Sequence, residues 1–141
     1  MFVRRDSDIT LKTIDDARPY TIGVQMAGVG MEELKGKGFQ HLDPSSKAES
    51  NMKKLLAGRI DMWYASNATV GGNAKKLGIG VNAVKLILTT ANTFMYMAFN
   101  PETPDVVITR WQGALDALFN AGVVKAMYDK HKLMYLYPEG R

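Results

Sequence analysis

The run Thr21-Ile22-Gly23-Val24-Gln25 leads into Met26-Ala27-Gly28-Val29-Gly30, and this junction offers a chemistry that needs no reactive side chain. A β-branched strand that feeds a glycine-bearing turn presents the unpaired amides of the next helix start. Small side chains there let an anion such as a carboxylate or phosphate come close. The alternative, that Gly28 and Gly30 only shape the turn, stands beside it. Open α/β sheets bind ligands beyond the carboxyl ends of their strands, which directs attention to a second strand end, after Ile60 to Ala65. Ser66 and Asn67 follow it, and both side chains donate and accept hydrogen bonds. They also suit the cap of a helix, and one residue can do both. Gln25 and Tyr64 belong to the same rim, so the candidate ligand-binding set is Gln25, Met26, Ala27, Gly28, Tyr64, Ser66 and Asn67. Asp61 reads as a structural partner for a nearby amide or for Arg59. Trp63, Tyr64, Phe94, Met95, Tyr96, Met97 and Phe99 read mainly as packing, with some left to line a pocket.

Other chemistries lack their residues. The sequence has no Gly-x-Ser-x-Gly elbow, no phosphate-binding Walker loop and no His-Glu-x-x-His, and its two histidines, His41 and His131, are far apart and read as surface residues. No catalytic set, and hence no enzyme, is expected. The glycines of 26–30 do not complete a dinucleotide fingerprint, so no cofactor is expected either. The absence of cysteine excludes disulfides and Cys-type zinc sites, and no metal site is expected. The formal charge of +4 is spread along the chain. Lys53-Lys54 and Lys75-Lys76 fit solvated helix faces, which speaks against nucleic acid as a partner. Met1 to Arg5 lacks the apolar core of a signal peptide. The longest apolar stretch, Val84 to Phe99, is broken by Lys85, Thr89, Thr90, Asn92 and Thr93, so neither an export signal nor a membrane span is expected in this chain.

The elements that must position the rim follow from local chemistry. Met1 to Arg4 reads as a strand, Thr21 to Gln25 as a second, and a helix from about Met31 to Lys35 stops at Gly36 and Gly38. Ser46-Lys47-Ala48-Glu49 matches a capping box that opens a helix with Ala48, Met52, Leu55 and Leu56 on one face, ending at Gly58. Ile60 to Ala65 is a strand, and Asn67 to Leu77 a helix weakened by Gly71-Gly72. Val84 to Leu88 and Thr93 to Phe99 are β-rich runs. Thr103 as cap and Pro104 as first helical residue open a helix with Val107, Trp111, Ala114, Leu115 and Leu118 on its apolar face, and Gly122 separates it from another over Val123 to His131. Strands alternating with helices predict an α/β fold, an open mixed sheet with helices on its faces. Hydrophobic residues at 46% and charged ones at 23% suit a globular domain, and 141 residues suit one domain.

Leu55-Leu56-Ala57-Gly58-Arg59-Ile60-Asp61 resembles the Gly-Arg-Ile/Val-Asp signature of the family 3 bacterial solute-binding proteins that serve ABC transporters for polar amino acids. Its surroundings resemble that family in order and spacing from about residue 1 to 133: the Ile22 to Gln25 strand, the Tyr96-Met97-Ala98-Phe99 run followed by Thr103-Pro104-Asp105, and Gly122 before Val123 to His131. The resemblance implies a two-lobed, type II periplasmic-binding-protein flytrap. Residues 1–10 would be a hinge strand, 11–92 the second lobe, and 93–141 a return hinge strand, Phe94 to Phe99, with helices that pack on an incomplete first lobe. It further implies a periplasmic location, a small polar solute bound without catalysis in the cleft between lobes, and a transporter permease as partner. The missing first lobe normally supplies an arginine for the ligand carboxylate. Two positions depart from the family pattern: Ala27-Gly28 stands where a Ser or Thr is usual, and no carboxylate lies near Ser66 to balance a ligand ammonium, which is costly to bury unpaired. The solute is then something other than an ordinary α-amino acid, or the site has lost its task. The apolar face of Val107, Trp111, Leu115 and Leu118 calls for a cover, which predicts a homodimer or an exchange of elements. The same fold hosts cyclohexadienyl dehydratase and receptor input domains, but the rim has neither the acid nor the base of such an enzyme.

Overall fold

A computed structural model describes residues 1–91, 96–131 and 137, and the chain divides into two units, Met1–Asn92 and Thr93–Arg141. The first unit is built on a five-stranded sheet: β1 (Phe2–Arg4), β2 (Ile22–Gln25), β3 (Leu42–Ser45), β4 (Met62–Trp63) and β5 (Val84–Leu86), in the order β3-β2-β4-β1-β5. β2 runs parallel to both β3 and β4, whereas β1 is antiparallel to β4 and β5, so the sheet is mixed as the alternating pattern predicts. Side chains of successive strand residues leave opposite faces, and each face has its own core. Met1, Val3, Ile22, Val24 and Met62 pack with Met31, Leu34 and Phe39, the last three from the region of helix α1 (Val29–Gly36). Phe2, Trp63 and Val84 pack on the other side with Met52, Leu55, Val70 and Ala74, from α2 (Ala48–Leu56) and α3 (Asn67–Lys76).

Gly23 faces that second core, and a larger residue there must displace the Ile60 side chain. A Cβ on it would lie 2.4 Å from Ile60 Cδ1 and 3.2 Å from Asn51 Oδ1. Fully buried Asn51 donates its amide to the Val24 carbonyl at 2.9 Å, where β2 outruns two-residue β4, and its Oδ1 has no partner among the described residues. Helix α2 ends with Gly58 at φ 68°, a left-handed position that glycine tolerates without a Cβ penalty, and the Arg59 amide closes the turn on the Lys54 carbonyl at 2.9 Å.

Several expectations change. Strand β3 is unexpected, because Asp43 and Pro44 argue against a strand. It lies at the sheet edge, where proline's missing N–H is tolerated, and Lys54 secures it with bonds to Asp43 Oδ1 (2.6 Å) and Ser45 Oγ (2.9 Å). The capping box at Ser46 and Glu49 does not form: Lys47 is the N-cap of α2 and contributes no side-chain bond. The predicted strand over 60–65 shrinks to Met62–Trp63 because Asp61 is occupied by Thr21, accepting its amide at 2.8 Å, which bears out the structural role expected of that carboxylate. Of the β-rich run at 93–99, Thr93, Phe94 and Met95 lie outside the described residues and 96–99 form no strand; β1 is flanked by β4 and β5.

In the second unit α4 (Asp105–Asn120) and α5 (Val123–Lys130) pack on each other across Gly122. Pro104 takes the N-cap in place of Thr103, so the helix starts one residue later than expected, with ψ 139° outside the helical range and the Pro104 carbonyl accepting from Val107 at 2.9 Å. The apolar stripe of α4 is exposed: Trp111 keeps 55% of its surface and Leu118 46%.

Candidate functional site

Parallel pairing places the carboxyl ends of β3, β2 and β4 at one end of the sheet, and each runs within a few residues into a helix: β2 into α1, β3 into α2, β4 into α3. Three helix starts therefore gather there, each with the partial positive charge of a helix N-terminus. The two turns singled out in the sequence are neighbours, as β2 and β4 pair directly at Gly23 and Trp63.

The first turn is closed by the Gly28 amide on the Gln25 carbonyl at 3.1 Å, with Ala27 at φ 54°. Ala27 is the one non-glycine residue with positive φ among the described residues. A side chain in that region costs about 1–2 kcal/mol. Gly28 is the N-cap of α1 and has no side chain to cap it, so the amides of Val29 and Gly30 have no acceptor among the described residues. Gln25 is exposed and bridges to the next turn, donating Nε2 to the Ser46 carbonyl at 2.8 Å. Met26 stands 52% exposed beside it.

In the second turn Ser66 is the N-cap of α3, and its Oγ accepts the Thr69 amide at 3.1 Å and lies 2.9 Å from Thr69 Oγ1. The capping role is therefore real, and the amides of Asn67 and Ala68 remain without an acceptor among the described residues. Asn67 is exposed. Tyr64 is placed differently from its rim neighbours. Its ring lies against Gly30, where a Cβ would come within 2.8 Å of Cδ1. Its hydroxyl donates to Glu33 Oε2 at 2.8 Å and lies 3.0 Å from Thr90 Oγ1. Partial burial raises the phenol pKa above its ordinary value; the Thr90 bond opposes this, and the Glu33 carboxylate adds to it.

The sequence suggests a capping role for Ser46-Lys47 but no place at this site, and offers no signal for Glu33 or Thr90 there. Only the unexpected strand β3 brings Ser46 and Lys47 to this end of the sheet, and no local signal joins Tyr64 to residues 31 and 26 positions away. Among the described residues no group of three or more His, Cys, Asp and Glu side chains could hold a metal, and no helix is long and apolar enough to cross a membrane.

The signature that carries the family resemblance lies at the opposite end of β4. Gly58 stops α2, Ile60 is buried against the second core, and Asp61 ties the approach of β4 to Thr21 at the start of β2. Gly-Arg-Ile-Asp is here a helix-to-strand corner that sets the β2–β4 register, on which the rim depends.

No protein-family pattern matches the sequence, and neither does any curated protein sequence. Solved structures do match. A histidine kinase sensor domain with similarity to periplasmic binding proteins aligns over 92% of this chain and 56% of its own, at TM-score 0.67 and 18% identity. A mutant of ArgBP from T. maritima aligns over 92% of this chain and 55% of its own, at TM-score 0.68 and 22% identity. Domain 2 of TmArgBP alone is covered over 96% of its length by 65% of this chain, at TM-score 0.54 and 23% identity. The chain thus spans little more than half the length of the sensor domain and of the ArgBP mutant. It has the periplasmic-binding-protein-like α/β fold that the sequence resemblance implied, shared with amino-acid-binding proteins and a sensor domain.

Proposed function

We propose that the first unit is a solute-binding lobe that takes the anionic end of a small polar solute at the carboxyl ends of β2 and β4. The observation that carries this reading is the convergence of helix starts at one end of the sheet, with the Val29, Gly30, Asn67 and Ala68 amides unclaimed among the described residues. An anion there meets several N–H donors and the positive ends of helices. Gln25, Met26, Ala27, Gly28, Tyr64, Ser66 and Asn67 form the rim, with Tyr64 contributing its ring and backbone because its hydroxyl is engaged. In this reading the chain is a solute-binding component, or part of one, of an ABC-type importer in the periplasm, delivering to a permease without chemistry of its own. An arginine-, lysine-, histidine-binding protein from Geobacillus stearothermophilus, similar over 92% of this chain and 55% of its own at TM-score 0.64 and 22% identity, makes amino acids the first solutes to try.

Calorimetric titration of the full chain with amino acids, polyamines and small carboxylates tests it. A carboxylate-bearing class, the amino acids or the small carboxylates, binds, polyamines alone do not, and Asn67→Leu, at an exposed position, weakens that binding about tenfold, roughly 1.4 kcal/mol. A panel without heat or thermal shift removes the proposal. The structural likeness to a histidine kinase sensor domain favours a second reading, a ligand-sensing input module. The rim chemistry is the same, and linkage to an output domain rather than a permease distinguishes the two.

In either role the uncovered stripe of α4 is met by a second copy. Val107, Trp111, Leu115 and Leu118 each contribute roughly 1.5–3 kcal/mol when fully buried. A well-folded monomer in sedimentation at micromolar concentration excludes that dimer.

A further inference from the structure

Tyr64 is the one rim residue whose polar group turns away from the rim into a network. Its phenol has a single proton, and the Glu33 carboxylate at 2.8 Å can only accept, so that proton goes to Glu33. The 3.0 Å contact with Thr90 is then donated by the Thr90 hydroxyl to the Tyr64 oxygen. The result is a directed chain from Thr90 through Tyr64 to Glu33, each bond polarising the next. It joins the end of β4, the middle of α1 and the segment that leaves β5.

That segment has little other support. Backbone bonds hold it as far as Ile87 and Leu88, through Met1. From Thr89 to Ala91 the Tyr64 bond is the one side-chain tie among the described residues. A cavity of about 260 Å³, with Lys12, Thr13, Leu88, Thr89 and Thr90 in its wall, lies beside this segment, so close packing does not replace the bond. Thr90 stands two residues before the end of the first unit.

We propose that Tyr64 is a latch that fastens the exit segment of the first unit to the rim, so that a displacement of one is felt at the other. Tyr64 precedes Ser66 and Asn67 by two and three residues, and its ring rests on Gly30 at the start of α1. A rim contact that shifts the end of β4 or the first turn of α1 therefore moves the phenol against Thr90. The tie itself needs no ligand; its use in signalling occupancy to the chain beyond Asn92 rests on the solute-binding reading.

The test reads one end while changing the other, in the full chain without solute, so that a failed titration and a failed latch are separate results. Tyr64→Phe keeps the ring on Gly30 and removes the hydroxyl. It lowers the methyl order parameter of Thr90 in ¹³C relaxation NMR while the core methyls of Val24 and Leu34 keep theirs. Thr90→Val, at an exposed position where folding is not at stake, shifts the amide resonances of Ser66 and Asn67, whereas Thr109→Val does not. An unchanged Thr90 methyl order in folded Tyr64→Phe overturns the proposal, and so do unmoved rim amides in Thr90→Val.

Discussion

Replacing Gly23 by alanine puts one methyl group where the structure has no room, and the size of the effect follows from which atom it meets. The added Cβ lies 2.4 Å from Ile60 Cδ1, more than 1 Å inside the roughly 3.5–4.0 Å at which carbon atoms attract. The next neighbour, Asn51 Oδ1, is 3.2 Å away and needs only a small adjustment. Ile60 is 2% exposed, so its terminal methyl has no solvent to swing into. Overpacking of this kind costs about 1–3 kcal/mol, and about 2 kcal/mol is expected here. Ile60→Val removes the offending methyl at about 0.5–1.5 kcal/mol. In that background Gly23→Ala is close to neutral, or gains up to about 1 kcal/mol by restricting the unfolded chain, since Gly23 is not held at positive φ. The two changes therefore couple by about 2 kcal/mol. Urea unfolding followed by fluorescence of buried Trp63, in a Trp111→Phe background that silences the exposed indole, measures the cycle. Additivity within about 0.5 kcal/mol, the behaviour of independent sites, refutes the account of how β2 is seated and with it the seating of the 25–28 turn.

Ser66→Ala removes the one side-chain cap of α3, whose first turn has no acidic residue to compensate. The expected loss is about 1 kcal/mol in urea unfolding, with Ser66→Asp retaining stability; equal stability of the alanine variant contradicts the assigned cap. Asp16 accepts the Thr13 and Lys12 amides at 2.8 Å each, and these bonds, the Thr13 bond foremost, hold its pKa below the ordinary aspartate value. A folded pKa below the unfolded one contributes stability above the unfolded value, about 3.9, and loses it as pH falls through the folded value. The difference in thermal midpoint between the native chain and Asp16→Asn is therefore full at neutral pH and closes below about pH 4; a gap that persists in acid counts against it.

What the sequence determined alone is what depends on near neighbours. Gly58, where α2 gives way to the approach of β4, and Gly122, between α4 and α5, take the left-handed conformation because a helix that stops needs it there. The extended run of Met1 to Arg4 and the apolar stripe of Val107, Trp111, Leu115 and Leu118 are likewise local patterns, and with the Gly-Arg-Ile-Asp corner they point to the fold class. The tertiary structure decided whatever rests on distant partners. Ser46 and Ser66 have the same capping chemistry, but only Ser66 caps, since Ser46 follows an edge strand and gives its carbonyl to Gln25. Asp43 and Pro44 form a strand because Val24 and Lys54 are beside them. Tyr64 turns its hydroxyl to Glu33 and Thr90 because Gly30 leaves space for the ring. Local preferences are worth a kilocalorie or less per residue, and a buried contact or a charge-assisted hydrogen bond from far along the chain outweighs them.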